Sequence, residues 1–388
     1  MPNEELLLMI PGPTNLPASV RRAMAEPSMY HRGAEFAELM ADCQVGLQAC
    51  FGTTDPVLTL SASGTGGVEA AVANLIAPGE RILTINSGKF GLRIGEIAQC
   101  YGAEVTWWDC CPGEAADPRL LRELLSESRF DALGFAYNET STGVAQDLSG
   151  IAKAAAEHGV LTIVDAVSAI GGMPINMEAN ALDAVVGGSQ KALMLPPGLS
   201  FVALSAGAQL KMKQITCGSY YFDLSRALDA LDKGQTPCTP AVNLFSGLQE
   251  SLRLIRAEGV TEVLRRHHCL GVACRAASIA LGLELLAADE RRASATVTAV
   301  RMPDDLDSSE LVRRVRERDN ILISGGQGDL KGKIFRIGHL GTCRLDDLVA
   351  TVAAVAENLA EMGCDIDTAS AVTAARDAFV TCRENSDG

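Results

Sequence analysis

The chain is expected to fold as an α/β protein, with a mainly parallel, doubly wound sheet in a large domain and a small C-terminal α+β domain. Three observations lead there. From position 57 to 158, short apolar runs alternate with helical spacings, as in strands joined by crossover helices. From 160 to 205, three further apolar runs follow closely, the first closed by Asp165 and the second followed by Ser189, Gln190 and Lys191. After Leu204 the alternation stops, and helical spacings dominate with only short apolar runs between them. A length of 388 residues suffices for two such units sharing a substantial core.

Taken in order, positions 6–32 carry several prolines and read as an extended arm plus one short helix. Such an arm packs on a neighbouring subunit or simply leads into the fold. Positions 36–50 have helical spacing and 57–61 read as a strand. In SASGTGGVEAAVANL, Gly64 to Gly67 are expected to make a tight turn before a helix over 68–76. Strands are expected at 81–85, 104–108 and 131–137, with helices at 92–101, 118–128 and 148–158. Positions 160–165, 183–187 and the run after Pro196-Pro197-Gly198 complete the sheet. The stretch 211–232 reads as polar and irregular, followed by helices over 242–258 and 261–287. Short strands at 297–301, 321–324 and 334–337, with helices at 308–318 and 346–362, form the small domain. The resulting division is an arm (1–20), a large domain (21–255), a small domain (256–365) and a tail (366–388).

Asp165 and Lys191 lie 26 residues apart, room for a glycine-rich passage and one more strand, so both can reach the same end of a parallel sheet. An amine and a carboxylate in one crevice suit pyridoxal phosphate, which needs a lysine to hold it as a Schiff base and an anion against its pyridine nitrogen. The plain alternative is a surface lysine and a helix-capping aspartate. A second anion-binding feature, backbone N–H groups and the Ser63 and Thr65 hydroxyls at the 61–68 turn, favours the cofactor. This turn lacks GK[ST] and does not fit GxGxxG, so it is not a nucleotide loop. Phe90, heading a helix just past a strand, is placed to stack on a flat ring.

Composition limits the rest. With 47% hydrophobic and 21% charged residues the chain is an ordinary globular one. A net charge of −15 without a basic patch argues against nucleic acid and anionic membranes. The longest uncharged run, 192–210, is broken by Pro196, Pro197 and Gly198, so no membrane span is expected. Glu4 and Glu5 before a short apolar run do not suit a secretory signal, so a cytoplasmic location is expected. The twelve cysteines are scattered with no CxxC pair and are expected to be reduced, mostly buried thiols.

Read together, Pro11-Gly12-Pro13-Thr14, HRGAEF (31–36), SASGTGGVEAAVANL (61–75), NETSTGV (138–144), DAVSAIGG (165–172), GSQKAL (188–193), PPGL (196–199) and FRIGHLG (335–341) span nearly the whole chain. In this order they resemble the class V aminotransferases of pyridoxal phosphate fold type I, nearest the alanine–glyoxylate and serine–glyoxylate (serine–pyruvate) branch. The resemblance implies a homodimer that transfers an amino group from a small amino acid, alanine or serine, to glyoxylate or pyruvate. It makes Lys191 the Schiff-base lysine and Asp165 the partner of the pyridine nitrogen. Ser63, Gly64, Thr65 and Gln190 would hold the phosphate, joined by Thr239 from the neighbouring subunit. Phe90, where relatives often carry Trp, and Val167 would cover the two ring faces, with Thr140 contacting the ring. Arg336 would anchor the substrate α-carboxylate, a role suited to a planar guanidinium. His31 and His339 are read as satisfied polar residues or substrate contacts, and Glu69 as a helix-capping group. A lyase or desulfurase of the same fold and a non-catalytic subunit of another enzyme are the alternatives.

Overall fold

The computed structural model describes residues 6–385. Seven strands form the central sheet: β1 (Val57–Leu60), β2 (Arg81–Asn86), β3 (Glu104–Asp109), β4 (Ala132–Ala136), β5 (Leu161–Asp165), β6 (Ala184–Gly188) and β7 (Ser200–Leu204). Their order is β1-β7-β6-β5-β4-β2-β3, and only β7 runs antiparallel to its neighbours. Strands β4, β6 and β7 are buried along their whole length, as expected when helices cover both faces. Phe51, Phe135 and Phe201 fill one face, while Val68, Val72 and Leu75 pack on the other. The chain runs outward from β2 to β3 and then returns past β2 to β4. That reversal opens a crevice at the carboxyl ends of the strands.

The glycines after β1 do not form a separate turn. Helix α1 (Gly64–Leu75) begins at Gly64, because the Ser63 side chain caps it by accepting the Gly66 N–H. The glycines instead allow close packing: a Cβ on Gly67 would lie 2.8 Å from Val186 Cγ1. The 211–232 stretch is also more ordered than its polarity suggests. Helix Ala206–Met212 ends at its start and helix Leu224–Leu231 lies within it, capped by Ser205 and Asp223, whose side chains make local bonds that a hydropathy pattern does not register. The long helix α3 (Val260–Ala280) stops seven residues early, where Gly282 takes a left-handed φ of 74°. Between α1 and α3, helix α2 (Lys89–Cys100) follows β2.

The small sheet holds β8 (Val297–Arg301), β9 (Ser324–Gly325) and β10 (Ile334–Gly338), all antiparallel with β10 central. The run expected as one strand at 321–324 is divided: Ile321–Leu322 pairs instead, in parallel, with Leu7–Leu8 of the arm. The arm therefore packs on its own chain. Met9 is fully buried, its carbonyl accepts the Gly338 N–H, and the chain passes on toward the crevice.

The cysteine expectation needs correction. Cys269 of α3 and Cys382 of α4 (Thr368–Asn385) form a disulfide with a Cα separation of 5.5 Å. The two helices lie side by side, a proximity hidden by 113 residues of separation. Ten cysteines are free, and only Cys43, Cys50, Cys274 and Cys343 among them are buried. Among the described residues no helix is long and apolar enough to cross a membrane.

Candidate active site

Strands β1, β2, β4, β5 and β6 are parallel, so the residues after each share one edge. Asp165 ends β5, and its Oδ1 accepts the Val167 N–H at 2.9 Å. Lys191 follows β6 by three residues. The two groups are 9% and 8% exposed. Burial pushes the Asp165 carboxyl up to about 6; the Val167 N–H opposes this, the Glu139 charge adds to it, and Lys191 and Arg93 oppose it. Burial pushes the Lys191 ammonium down to about 8, with Asp165 opposing and Arg336 adding. Each thus lies within the other's field, in one crevice.

The arm closes this crevice. Lys191 Nζ donates to the Pro11 carbonyl at 2.6 Å, and the Thr14 hydroxyl donates to the Lys191 carbonyl at 3.1 Å. A Cβ on Gly12, where φ is 129°, would lie 2.7 Å from Lys191 Cδ, so glycine is required for the arm to pass. Pro11 and Gly12 entered the sequence reading only as part of a motif. Nothing in a proline pair marks its carbonyl as a partner for a lysine 180 residues away.

The amino end of α1 reaches the same crevice. A Cβ on Gly64 would lie 2.5 Å from Val167 Cγ2, and one on Gly188 would lie 2.8 Å from Val167 Cγ1, so these three residues interlock. Ser63 is exposed at the rim, where the first N–H groups of α1 point outward. Thr65 Oγ1 accepts a hydrogen bond from Arg93 at 3.1 Å, and the Arg93 guanidinium lies 5.0 Å from the centroid of the Phe90 ring. Among the described residues Gln190 Oε1 is buried without a partner. Helix-end donors and a neighbouring cation fit the phosphate of a pyridoxal cofactor, and the Gln190 amide fits with its N–H groups, not Oε1, turned toward it. Arg93 was not anticipated, since its place depends on the pitch of α2.

On the opposite wall, Arg336 of β10 is 5% exposed. Its Nε and Nη2 donate to the Gly325 carbonyl at 3.0 and 2.7 Å, and its Nη1 donates to the Thr140 carbonyl at 2.9 Å. Burial lowers it to about 10, with Glu139 opposing. Thr140 and Glu139 are also buried; Glu139 ends a two-residue strand, Asn138–Glu139, that follows β4 and pairs with Val144–Ala145, and Thr140 begins the turn between them. Glu139 takes hydrogen bonds from the Phe90 and Gly91 N–H groups at 2.9 and 3.0 Å. In the sequence Glu139 stands out only as one member of the NETSTGV run, a polar stretch at the ligand-side end of an apolar strand, with no role of its own.

Thr239 lies apart from this cluster. It is exposed in the 236–240 segment, beside a cavity that Ser61 and Tyr221 also line. His339 is a neutral buried group: its Nε2 lies 2.9 Å from Thr298 Oγ1, and burial pushes it down to about 3. His31 is half-buried with its ring edge against Tyr30. Glu69 does not cap α1; it lies within the helix and accepts the Tyr101 hydroxyl at 3.0 Å.

Residues 8–371 match the family model described as aminotransferase class V. The chain is 39% identical to the small subunit of a soluble hydrogenase from Synechococcus over 93% of this chain and 94% of that one. It is 34% identical to a serine–glyoxylate aminotransferase from Methylorubrum extorquens, covering 95% and 94%. An alanine–glyoxylate aminotransferase structure from Nostoc superposes with a TM-score of 0.88 at 32% identity, covering 92% of this chain and 97% of that one. With its lysine and carboxylate at one strand edge and its guanidinium on the opposite wall, the chain belongs to the class V aminotransferases, enzymes that use pyridoxal phosphate.

Proposed function

We propose that the chain transfers the amino group of a small amino acid, alanine or serine, to glyoxylate or pyruvate. The observation that carries this reading is the buried Lys191 amine within the field of Asp165 and facing the wall that holds Arg336. Pyridoxal phosphate, when bound, supplies the electron sink for chemistry at the α-carbon. Lys191 would hold it covalently, Asp165 would face its pyridine nitrogen, and Phe90 and Val167 would cover its faces. Ser63, Gly64, Thr65 and Gln190 would take its phosphate, with Thr140 beside the ring. A cationic ring nitrogen against Asp165 returns that carboxyl toward its ionised form.

The chain's own groups divide the remaining work. Arg336 keeps its charge and presents a planar fork to the substrate carboxylate, which fixes the α-carbon. Lys191, its ammonium pushed down to about 8, takes the proton from the donor's α-carbon and passes it on before the oxo acid leaves; in the second half-reaction it delivers a proton to the acceptor's α-carbon. The arm at Pro11 to Thr14 excludes water from one side. Thr239 acts across a homodimer in this proposal; its exposure, and that of Tyr220 (77%) and Tyr221, support a partner surface there. A cytoplasmic location belongs to the same proposal; the ten free thiols support it and the Cys269–Cys382 disulfide counts against it.

A desulfurase would need an activated thiol near the crevice. Cys110 lines a cavity beside Gly88 and Ser141, but burial pushes its thiol up to about 11, the wrong direction for a nucleophile. The name of the Synechococcus relative motivates the other reading, a subunit without catalysis of its own. The test is a screen of purified, cofactor-loaded protein against amino donors and oxo-acid acceptors. Amino transfer that disappears in Lys191→Ala, together with the protein-bound cofactor absorbance, is expected. Cofactor binding without transfer to any acceptor sinks the proposal, and sulfide release from cysteine points to the desulfurase.

A further inference from the structure

Glu139 is a fully buried carboxylate. One oxygen, Oε2, accepts the Phe90 and Gly91 N–H groups at 2.9 and 3.0 Å. The other, Oε1, accepts the Ser141 N–H at 3.1 Å and the Ser141 hydroxyl at 2.5 Å. Two of these four donors belong to the first turn of α2, where a negative charge also meets the helix dipole. The attachment continues on either side: Ser141 Oγ accepts the Lys89 N–H at 3.1 Å, and Thr142 Oγ1 donates to the Ser87 carbonyl at 3.2 Å. Gly88 fits between them because a Cβ there would lie 2.4 Å from Ser141 Oγ and 2.7 Å from Glu139 Cδ. The next residue along the loop, Thr140, offers its carbonyl to Arg336.

We propose that Glu139 is the positioning residue that keeps the ring-stacking Phe90 and the carboxylate clamp Arg336 in register, by tying both to one loop. This rests on the aminotransferase reading of the site. Glu139 touches neither reacting group. It fixes where α2 starts, and hence where the Phe90 ring projects, and it orients the peptide whose carbonyl aims Arg336. The negative charge matters as well as the shape, since an amide in its place can accept at only one end and sets its own N–H groups against two donors. Its field also reaches both charged partners, opposing the loss of charge at Arg336 and reinforcing proton retention at Asp165.

The experiment compares wild type and Glu139→Gln as full-length protein. Three quantities are read: pyridoxal phosphate affinity by absorbance titration, donor KM against kcat, and thermal unfolding of the cofactor-free chain. Glu139→Gln is expected to weaken cofactor binding about tenfold and to raise donor KM about tenfold, the scale of one lost charged hydrogen bond. Because it acts through its neighbours, its effect on cofactor affinity shrinks in a Phe90→Ala background and its effect on KM shrinks in an Arg336→Lys background. Unchanged affinity and KM, or effects that multiply fully in those backgrounds, overturn the proposal. If Glu139→Gln does not fold, Ser141→Ala removes one donor to the carboxylate and is expected to shift both quantities about two- to threefold; no shift overturns the proposal equally. A wild type that binds no pyridoxal phosphate sinks the aminotransferase reading and this proposal together. A working wild type with an indifferent Glu139→Gln sinks this one alone.

Discussion

Two buried cations face each other across the crevice, Lys191 on the large sheet and Arg336 on the small one, and they are managed in opposite ways. Their exposure is nearly equal, at 8% and 5%. Lys191 has one carbonyl partner at Pro11 and is pushed down to about 8, so it exchanges a proton near neutral pH. Arg336 is held by the Gly325 and Thr140 carbonyls through three of its N–H groups and stays charged, at about 10. Burial alone therefore does not decide what a cation is for. In the proposed roles, the number of fixed acceptors and the intrinsic basicity separate a group that would move protons from one that would hold an anion.

Exchanging the two side-chain types breaks that division of labour. Lys191→Arg keeps the positive charge, but a guanidinium gives up no proton and cannot carry the cofactor covalently. Turnover is expected to fall by about 10³-fold or more, the scale of losing a general acid–base group. Single-turnover assays that retain the wild-type rate contradict the role given to Lys191. The reciprocal change, Arg336→Lys, replaces a planar fork by a point charge on a flexible stem. Donor KM is expected to rise roughly ten- to hundredfold, with a smaller change in kcat. A fall in kcat with KM unchanged would place Arg336 in the proton-transfer steps instead and erase the contrast.

The two poles also differed in how far the sequence revealed them. Asp165 and Lys191 were legible because each follows a short apolar run, and chain topology delivers such positions to one sheet edge. Arg336 was visible only through its FRIGHLG context, since the carbonyls that aim it come from Gly325 and Thr140. Glu139 carried no signal of its own kind: two of its donors lie about fifty residues upstream, and a buried carboxylate looks like any loop acid until they arrive. The Cys269–Cys382 pairing was hidden for the same reason, because packing of α3 on α4 is a long-range outcome. Periodicity reports which residues turn inward. It does not report which backbone groups will meet them.

The smallest expected effect tests the electrostatic basis of the comparison without any turnover. In the cofactor-free chain Asp165 rises from an ordinary 3.8 to about 6, so between about pH 4 and 6 the folded state holds a proton that the unfolded state has released. Stability then falls as pH rises through that window. Lys191 drops from 10.5 to about 8, so between about pH 8 and 10.5 the unfolded state holds the extra proton and stability rises with pH. These two groups alone contribute a shallow trough between about pH 6 and 8, where both buried charges are present, while the buried His267 and His339, pushed down from 6.5 to about 3, add the opposite slope below about pH 6.5. Thermal unfolding of wild type and Asp165→Asn across pH 4–9 isolates the Asp165 share: the stability of wild type minus that of the variant is expected to fall as pH rises from about 4 to 6. Because Asp165 supports the Lys191 charge, the variant should also begin its alkaline rise at lower pH. A difference between wild type and Asp165→Asn that stays constant from about pH 4 to 6 places the carboxylate outside the low-dielectric crevice. Its field then no longer accounts for a lysine near neutrality, and the distinction between the two cations reduces to their hydrogen bonds.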